Sequence, residues 1–305
     1  MVDTLVVGEA LIDIVQPVDG PVTEHVGGSP LNVAIGLARL GHPVQLAAYL
    51  ADDAHGRLIT KQLAADGVPL VDGSMTASHT PTARATLDGN GSATYEFDLA
   101  WDLPYPLPTD VGHFHTGSIA SALQPGATKV ADAMLLARRH ATVSFDPNPR
   151  PSLLGEARDA RAHLEQLIGY SDVVKASDED IAWLYGGAVD PAEILTLWGQ
   201  LGASLVVVTR GGDGALMHVT STGETENVPG RSVSVVDTVG AGDSFQSGLL
   251  SALLDTGLLG SVDARDRLRR AGLTDLRPAV DRAIATSAIT VSRAGANPPT
   301  RAELV

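Results

Sequence analysis

Cysteine is absent from this chain of 305 residues, which excludes disulfide bonds and thiolate chemistry. Lysine is scarce, with three residues (Lys61, Lys129 and Lys175), and no G-x-x-x-x-G-K-S/T pattern occurs, so the commonest phosphate-binding loop is excluded. No apolar run is long enough to span a bilayer, and the first residues lack the basic segment that opens a secretion signal. We therefore expect a cytoplasmic protein that has no membrane partner.

Positive charge is also scarce: 21 lysine and arginine residues stand against 36 aspartate and glutamate residues, for a formal net charge of −15. A field of that sign opposes binding to nucleic acid, so we expect no nucleic-acid partner. It also means that a nucleotide must be held by a local positive site. The composition, with 44% hydrophobic residues, is typical of a globular protein, and the length fits a single domain over residues 1–305.

Short apolar runs alternate with helical patterns along most of the chain. The runs are continuously apolar, as expected for parallel strands that are covered on both faces, so we expect a doubly wound α/β fold with a mostly parallel central sheet flanked by helices. The first helix is predicted over residues 31–40, with Ser29 as its N-cap and Pro30 in its first turn. The last two helices are predicted over residues 265–271 and 277–292, with Gly272 just after the first and Pro278 near the start of the second.

Two segments depart from this alternation and predict a small separate β-sheet. Residues 14–26 have the pattern of a twisted hairpin, and strands are expected at residues 83–87 and 93–97, joined by a turn at residues 88–91. Since one face of such a sheet is free to cover a cleft, we expect residues 14–26 and 80–100 to form a lid.

The stretch Asp237-Thr-Val-Gly-Ala-Gly-Asp-Ser-Phe-Gln-Ser-Gly248 carries the strongest chemical signal. We expect a strand over residues 232–236, then a glycine turn, then a helix, because this order places backbone N–H groups at the positive end of a helix, where anions bind. Gly240 and Gly242 let a ligand approach the backbone closely. Asp243 adds a carboxylate that can accept a hydroxyl proton, which completes the minimum for phosphoryl transfer to an alcohol. The alternative is a simple glycine turn with Asp243 as the N-cap.

Polar groups also follow the ends of several predicted strands, where doubly wound sheets bind ligands. Six clusters occur: Asp13; Gly27 to Ser29 with Asn32; Asp146 to Arg150; Lys175 with residues 177–180; residues 209–212; and residues 237–243. Asp13 and Asn32 suit sugar hydroxyls, although each also suits a turn. His113 and His115 fit buried, hydrogen-bonded histidines better than a metal pair, because no third ligand is near.

Taken together, these motifs resemble those of the PfkB (ribokinase-like) carbohydrate kinase family. The resemblance rests on Gly8-Glu-Ala-Leu-Ile-Asp13, on Gly27-Gly-Ser-Pro-Leu-Asn-Val-Ala34 and on the 237–248 stretch, and it extends from residue 2 to about residue 300. Within the family, residues 8–13, Asp146-Pro-Asn-Pro-Arg150 and Ser177-Asp-Glu-Asp180 are most similar to fructokinases. The resemblance implies a ribokinase-like fold with a β lid, and ATP-dependent phosphorylation of a sugar's primary hydroxyl.

The resemblance also implies roles for individual residues. Asp243 would be the catalytic base, and Gly240, Ala241 and Gly242 would form the anion hole through their backbone N–H groups. Substrate would be bound by Asp13, Gly28, Asn32, Phe97 and Arg150, the last as a phosphate contact. The nucleotide would be bound by Lys175, Thr209, Gly211, Gly240, Gly242 and Asn297. Asp180 would bind Mg²⁺, and Asp237 would bind a monovalent cation such as K⁺.

Two positions depart from the pattern common in the family. Ser177-x-x-Asp180 replaces the Asn-x-x-Glu of many relatives, and Val239 replaces a threonine. The expected reaction is the conversion of fructose to fructose 6-phosphate with ATP and Mg²⁺, by a homodimer that forms through the lid. The alternatives are a 2-keto-3-deoxygluconate kinase, a ribokinase, or a catalytically silent sugar sensor. A nicotinamide-dependent dehydrogenase is set aside because residues 8–13 lack G-x-G-x-x-G.

Overall fold

The computed structural model of the protein describes residues 4–87, 93–187 and 189–304. The strands are β1 (Thr4–Val7), β2 (Leu11–Gln16), β3 (Thr23–Gly27), β4 (Val44–Ala47), β5 (Thr82–Leu87), β6 (Ala93–Asp98), β7 (His113–Gly117), β8 (Thr142–Asp146), β9 (Val173–Ser177), β10 (Leu205–Thr209), β11 (Ala215–Val219) and β12 (Glu224–Val228). The helices are α1 (Ser29–Arg39), α2 (Ala54–Ala65), α3 (Gly126–Ala137), α4 (Pro151–Leu154), α5 (Ala157–Gly169), α6 (Asp178–Tyr185), α7 (Pro191–Leu201), α8 (Ala241–Asp255), α9 (Val262–Leu268) and α10 (Leu273–Val291).

Eight strands form the central sheet, in the order β12-β11-β10-β9-β8-β7-β1-β4. The six strands from β10 to β4 are parallel, whereas β11 and β12 are antiparallel at one edge. The predicted doubly wound, mostly parallel sheet is therefore confirmed. The antiparallel edge was not predicted. Its strands β11 and β12 follow β10 through short turns and not through α-helices, so each strand reverses direction.

Helices cover both faces of this sheet, and each face has its own apolar core. In β1, Leu5 and Val7 pack into one cluster together with Phe114 of β7 and Trp198 of α7. The residue between them, Val6, packs into the opposite cluster with residues of α1, α8 and α10. Because neighbouring strand residues point to opposite faces and both faces are buried, strands such as β1 and β10 are apolar at all but one position.

Four strands form a second sheet, in the order β3-β2-β5-β6. Its β2 begins at Leu11, earlier than the predicted hairpin, so Asp13 lies inside this sheet and does not follow a strand of the central sheet. Leu11 and Ala83 form a small cluster with Ile119, and Phe97 packs against it. The predicted turn at residues 88–91 lies outside the described residues.

The expected strand over residues 232–236 is wrong. This segment is an exposed loop, and it pairs with no strand in the part of the chain that the structure describes. Val233, Val235 and Val236 are 40–63% exposed because the sheet ends at β12, so the alternating pattern has no partner strand and no core to face. The loop is held instead by the N–H groups of Val236 and Asp237, which donate to the carbonyl of Val291 at 2.8 and 3.2 Å.

Several helices begin earlier than predicted, for local reasons. Gly28 occupies the N-cap of α1 with φ 112°, so Ser29 lies in the helix and is not its cap. At α10, the N–H of Gly272 donates to Oδ2 of Asp275 at 2.9 Å, which starts the helix before Pro278 and leaves that proline inside it. Over the ranges described, no helix combines the length and the apolar character that crossing a membrane requires.

Candidate active site

The start of α8 depends on a glycine. Gly240 is its N-cap, with φ 72°, and a Cβ at this position would lie 2.6 Å from the Cβ of Ala296. Both the left-handed backbone and the close approach therefore favour glycine. Asp243 lies in the first turn of the helix, as predicted, and it is buried. The alternative in which Asp243 is the N-cap is wrong, because Gly240 occupies that position.

The carboxylate of Asp243 is held by the first turn of α1. Ser29 Oγ donates to its Oδ1 at 2.6 Å, and Asn32 Nδ2 donates to its Oδ2 at 2.7 Å. All three side chains are buried. Hydrogen bonds to an ionised acceptor are short and strong, and these two fix the direction in which the carboxylate points.

Asp13 lies beside the turn that starts α1. Its Oδ2 is 2.1 Å from the position that a Cβ on Gly27 would take, and a Cβ on Gly28 would lie 2.4 Å from the carbonyl oxygen of Glu9. The two glycines therefore let β2 and the start of α1 approach each other. Burial raises the pKa of Asp13, while the charges of His25 and Arg150 partly oppose that rise.

A cavity of about 1160 Å³ opens on the other side of Asp243. It lies along the ends of β9 and β10 and the start of α8. Its lining includes most of the predicted nucleotide-binding residues and several others: Asn148, Arg150, Lys175, Asp180, Thr209, Gly211, Val233, Val235, Gly240, Ala241, Gly242 and Asp243. The carboxylate of Asp243 thus lies at the boundary between this cavity and the polar group around Asp13 and Asn32.

A buried cation lies next to the start of α8. Lys175 Nζ donates to Oδ2 of Asp146 at 2.9 Å, and it is 3.0 Å from the position that a Cβ on Gly242 would take. Burial lowers the pKa of Lys175, but the charges of Asp146, Asp180 and Asp243 raise it by more, so the lysine is cationic at neutral pH. Lys175 thus places a cation at the start of α8, although Asp146 shares its charge.

Arg150 reaches from the cavity toward Asp13. Its Nη1 donates to Oδ1 of Asn148, a residue with φ 34°, and both side chains line the cavity. Its charge also acts to lower the pKa of Asp13 and of Glu9. The guanidinium of Arg150 is therefore near enough to act both on a phosphate in the cavity and on the polar group around Asp13.

Asp180 serves first as a helix cap. Its Oδ2 accepts the N–H of Ser177 at 2.8 Å, while its own N–H donates to Ser177 Oγ at 3.0 Å, and this reciprocal pair starts α6. Asp178, Glu179 and Asp180 all line the cavity. Over the described ranges, no group of three or more His, Cys, Asp or Glu side chains is arranged to hold a metal ion.

Comparisons with known families and solved structures identify relatives of this chain. Residues 1–303 match the pfkB family carbohydrate kinases. The chain belongs to this family. It is 34% identical to a fructokinase of Escherichia coli over 87% of this chain and 88% of that protein. A crystal structure of the Xylella fastidiosa fructokinase with bound ATP covers 100% of this chain and 97% of its own, with TM-score 0.84 and 27% identity. A double mutant of the Vibrio cholerae O395 fructokinase, in a form bound to fructose, ADP and potassium ion, has TM-score 0.80 and 27% identity, covering 100% of this chain and 97% of its own.

Six residues that were expected at the site of this pfkB kinase do not line the cavity. Three of them, Asp13, Gly28 and Asn32, lie around the start of α1, as described above, and the other three lie elsewhere. Asn297 Oδ1 accepts from Arg39 Nη1 at 2.6 Å near the end of α1. Asp237 accepts the N–H groups of Val239 and Gly295 at 3.0 and 2.8 Å, which lowers its pKa. Phe97 lies on β6 of the smaller sheet.

The backbone N–H groups of the expected anion hole are not equally available to a ligand. The N–H of Ala241 donates to the carbonyl of Thr238 at 3.2 Å, so an anion would have to compete for it. The N–H of Gly242 lies in the first helical turn, where no intrahelical acceptor exists. The N–H of Ala241 is therefore less available to an anion than that of Gly242.

The two histidines of β7 are structural, as expected. His113 bonds to the hydroxyls of Thr142 and Ser144, and His115 shares Ser144, at 2.8–2.9 Å. Burial lowers the pKa of each to about 3, so both rings are neutral.

Sequence reasoning missed two features of the site. One is the contact of Ser29 with Asp243, and the other is the pairing of Lys175 with Asp146. A signal for the pair was present, because both residues lie at the carboxyl ends of what prove to be adjacent strands. For Ser29, the local pattern predicted a helix N-cap and did not indicate a contact with Asp243.

Proposed function

We propose that this pfkB kinase transfers the γ-phosphoryl group of ATP to the primary hydroxyl of fructose. The observation that carries the proposal is the position of Asp243, which is bonded to Ser29 and Asn32 on one side and lines the cavity on the other. Membership of the family supports sugar phosphorylation, and the fructokinase of E. coli among its relatives supports fructose as the sugar.

The sugar would bind on the side of the smaller sheet. Asp13, Gly28 and Asn32 would hold its hydroxyls, because they surround the turn between β3 and α1. Phe97 on β6 would pack against its face, with the smaller sheet acting as a lid, and Arg150 would approach from the cavity. Closure of such a lid excludes water and so limits hydrolysis of ATP.

The triphosphate would bind on the cavity side. Gly242 would donate its N–H, Lys175 would supply a fixed positive charge, and Thr209 and Gly211 would line the path of the phosphates. Asn297 is assigned to the adenine end, where it would have to leave Arg39. The helix start and the ammonium group together stabilise the charge that develops on the transferred group.

In the reaction, the sugar oxygen forms a bond to the γ-phosphorus while the bond from that phosphorus to the β,γ-bridging oxygen breaks. The bridging oxygen keeps the electron pair and leaves with ADP. The hydroxyl proton passes to Asp243, whose two hydrogen bonds leave a lone pair on each oxygen free to accept it.

We also propose that Mg²⁺ and K⁺ assist. Mg²⁺ typically uses one or two carboxylates together with phosphate oxygens, and this requirement fits Asp180 and its acidic neighbours at the cavity wall. When bound, it would neutralise charge on the phosphates. K⁺ would bind at Asp237, where the loop is tied to Gly295. Measuring activity while the chloride salt of each ion is titrated tests both ions. Activity that does not depend on K⁺ would contradict the proposed K⁺ site.

For the oligomer, we propose a homodimer formed through the smaller sheet. Its β3 lies at an edge of that sheet, where backbone groups are available to a second copy. Sedimentation velocity checks this proposal. A monomer at micromolar concentration would contradict it.

The proposal is tested by measuring ADP release with fructose, ribose, 2-keto-3-deoxygluconate and nucleosides as acceptors. We expect fructose to give the highest kcat/KM. We expect Asp243→Asn to lower kcat by about a thousandfold while the fructose KM changes little, because the base is lost but the sugar contacts remain. Asp159→Asn, at an exposed position on α5, is the matched control.

The outcomes separate the alternatives. Preference for another sugar would replace fructose and keep the mechanism. Release of ADP with none of the acceptors would favour the silent sugar sensor. Near-full kcat in Asp243→Asn would remove the assigned base.

A further inference from the structure

The hydroxyl of Ser29 has an unusual partner for a serine at the start of a helix. We infer that Ser29 is a positioning residue for phosphoryl transfer, and that it holds the carboxylate of Asp243 in the direction that meets the attacking hydroxyl. The inference rests on the proposed function, because it needs Asp243 to be the base. It stands on a buried hydrogen bond of 2.6 Å between Ser29 Oγ and Asp243 Oδ1.

Local structure frees Ser29 for this task. Serine at a helix start ordinarily caps the helix by accepting a backbone N–H. Here Gly28 takes the N-cap position with φ 112°, and a Cβ there would collide with the carbonyl oxygen of Glu9. Ser29 is thereby moved into the first turn of α1, and its hydroxyl donates across to α8.

The carboxylate of Asp243 needs such a restraint because a cation lies on its cavity side. Asp243 is close enough to Lys175 to raise the pKa of that lysine. Without donors on the opposite side, the carboxylate would be attracted toward the ammonium group and away from the sugar. Ser29 and Asn32 are the two donors that oppose this attraction.

The two donors are not equivalent. Asn32 is assigned to the sugar hydroxyls as well, so its amide is shared when the sugar binds. Ser29 has one hydroxyl proton, which it gives to Asp243, and no sugar role is assigned to it. Ser29 is therefore the donor whose contact with Asp243 persists through the reaction.

Charged groups also act on Asp243 from other elements. They include Lys175 on β9 and Asp146 on β8. Neither is altered when Ser29 alone is changed, so a loss of kcat in a Ser29 variant reports on the hydroxyl.

The test compares wild type with Ser29→Ala, with fructose and ATP varied separately between pH 5 and 9. We expect kcat to fall about tenfold to a hundredfold, as for a misplaced reacting group, and the KM of each substrate to stay within about twofold. Ser171→Ala removes a buried hydroxyl that donates to Leu167 O at 2.9 Å, far from the site, and should change neither quantity.

Should Ser29→Ala fail to fold, as judged by circular dichroism, Ser29→Cys keeps the volume and replaces the hydroxyl with a weaker donor. We expect its kcat to fall by less than the loss expected for Ser29→Ala, with the KM of each substrate again within about twofold.

Two results would overturn the inference while the kinase assignment stands. One is an unchanged kcat in Ser29→Ala or, where that variant does not fold, in Ser29→Cys. The other is a raised fructose KM with unchanged kcat, which would make Ser29 a sugar contact. If wild type itself phosphorylates no acceptor, the proposed function fails first, and the inference fails with it.

Discussion

Glu9 follows β1 and is buried at the carboxyl end of the central sheet, where it is 5% exposed. Its Oε2 accepts the N–H of Ala120 at 3.1 Å. Burial raises the pKa of this carboxyl to about 7, although its hydrogen bonds and the charge of Arg150 act in the opposite direction. At moderately acidic pH the folded protein therefore keeps a proton that the unfolded chain releases.

The sign and size of the effect on stability follow from this difference. The unfolded carboxyl ionises around pH 4.5 and the folded one around pH 7, so between these values the unfolded state binds fewer protons. The free energy of unfolding therefore falls as pH rises through this window, and the loss is complete above pH 7. At about 1.4 kcal/mol per pH unit, the loss is less than about 1 kcal/mol at pH 5 and about 3 kcal/mol at pH 8.

The perturbation is Glu9→Gln, which keeps the shape and an oxygen acceptor for Ala120 but cannot ionise. We expect this variant to exceed wild type in free energy of unfolding by about 3 kcal/mol at pH 8, and the gap to close toward pH 5. Urea unfolding at pH 5, 6, 7 and 8 measures the gap, with Glu96→Gln on the exposed side of β6 as the control. A gap that does not vary with pH, or a variant less stable than wild type at pH 8, would refute the reasoning.

Two further predictions concern buried charge. Lys175→Met leaves Asp146 buried without its partner, so we expect stability to fall by about 3 kcal/mol in urea unfolding. The double variant with Asp146→Asn should recover most of that loss but not kcat, and recovery of both would mean that the lysine has no role with phosphate. His113 and His115 stay neutral in the folded state, with a pKa of about 3 each, so stability is lost as pH falls below 6.5. His115→Gln should lower that slope by about 1.4 kcal/mol per pH unit between pH 6 and 4, and an unchanged slope would contradict the burial argument.

The central sheet could be predicted because its signal, a short apolar run for each strand, is local and recurs along the chain. Strands buried on both faces have few polar positions, and β1, β4 and β10 have one each. Residues 232–236 show the limit of the same logic, since alternating valine and serine fit a strand but the sheet ends at β12. Pairing is a tertiary property, and no pattern within five residues reveals whether a neighbour exists.

The site could be predicted in part for the same reason. Gly240, Gly242 and Asp243 lie on one continuous turn of chain, so their spacing fixes their geometry. Ser29 and Asp243 are 214 positions apart, and the best local role for a serine before Pro30 is a helix cap. The bond to α8 prevails because Gly28 takes the cap position, and this outcome depends on a close approach to Glu9 that no short pattern contains.

Charge in the cavity explains why the helix start is needed there. Four acidic side chains (Asp178, Glu179, Asp180 and Asp243) and three basic ones (Arg150, Lys175 and Arg231) line it, in a chain of net charge −15. The ammonium of Lys175 is already shared with Asp146. Side chains alone therefore offer little net attraction to a triphosphate, whereas backbone N–H groups at a helix start offer an attraction that carries no counter-charge of its own. The same balance favours a nucleotide that arrives with a divalent cation, because acidic groups that would repel bare phosphates then become ligands.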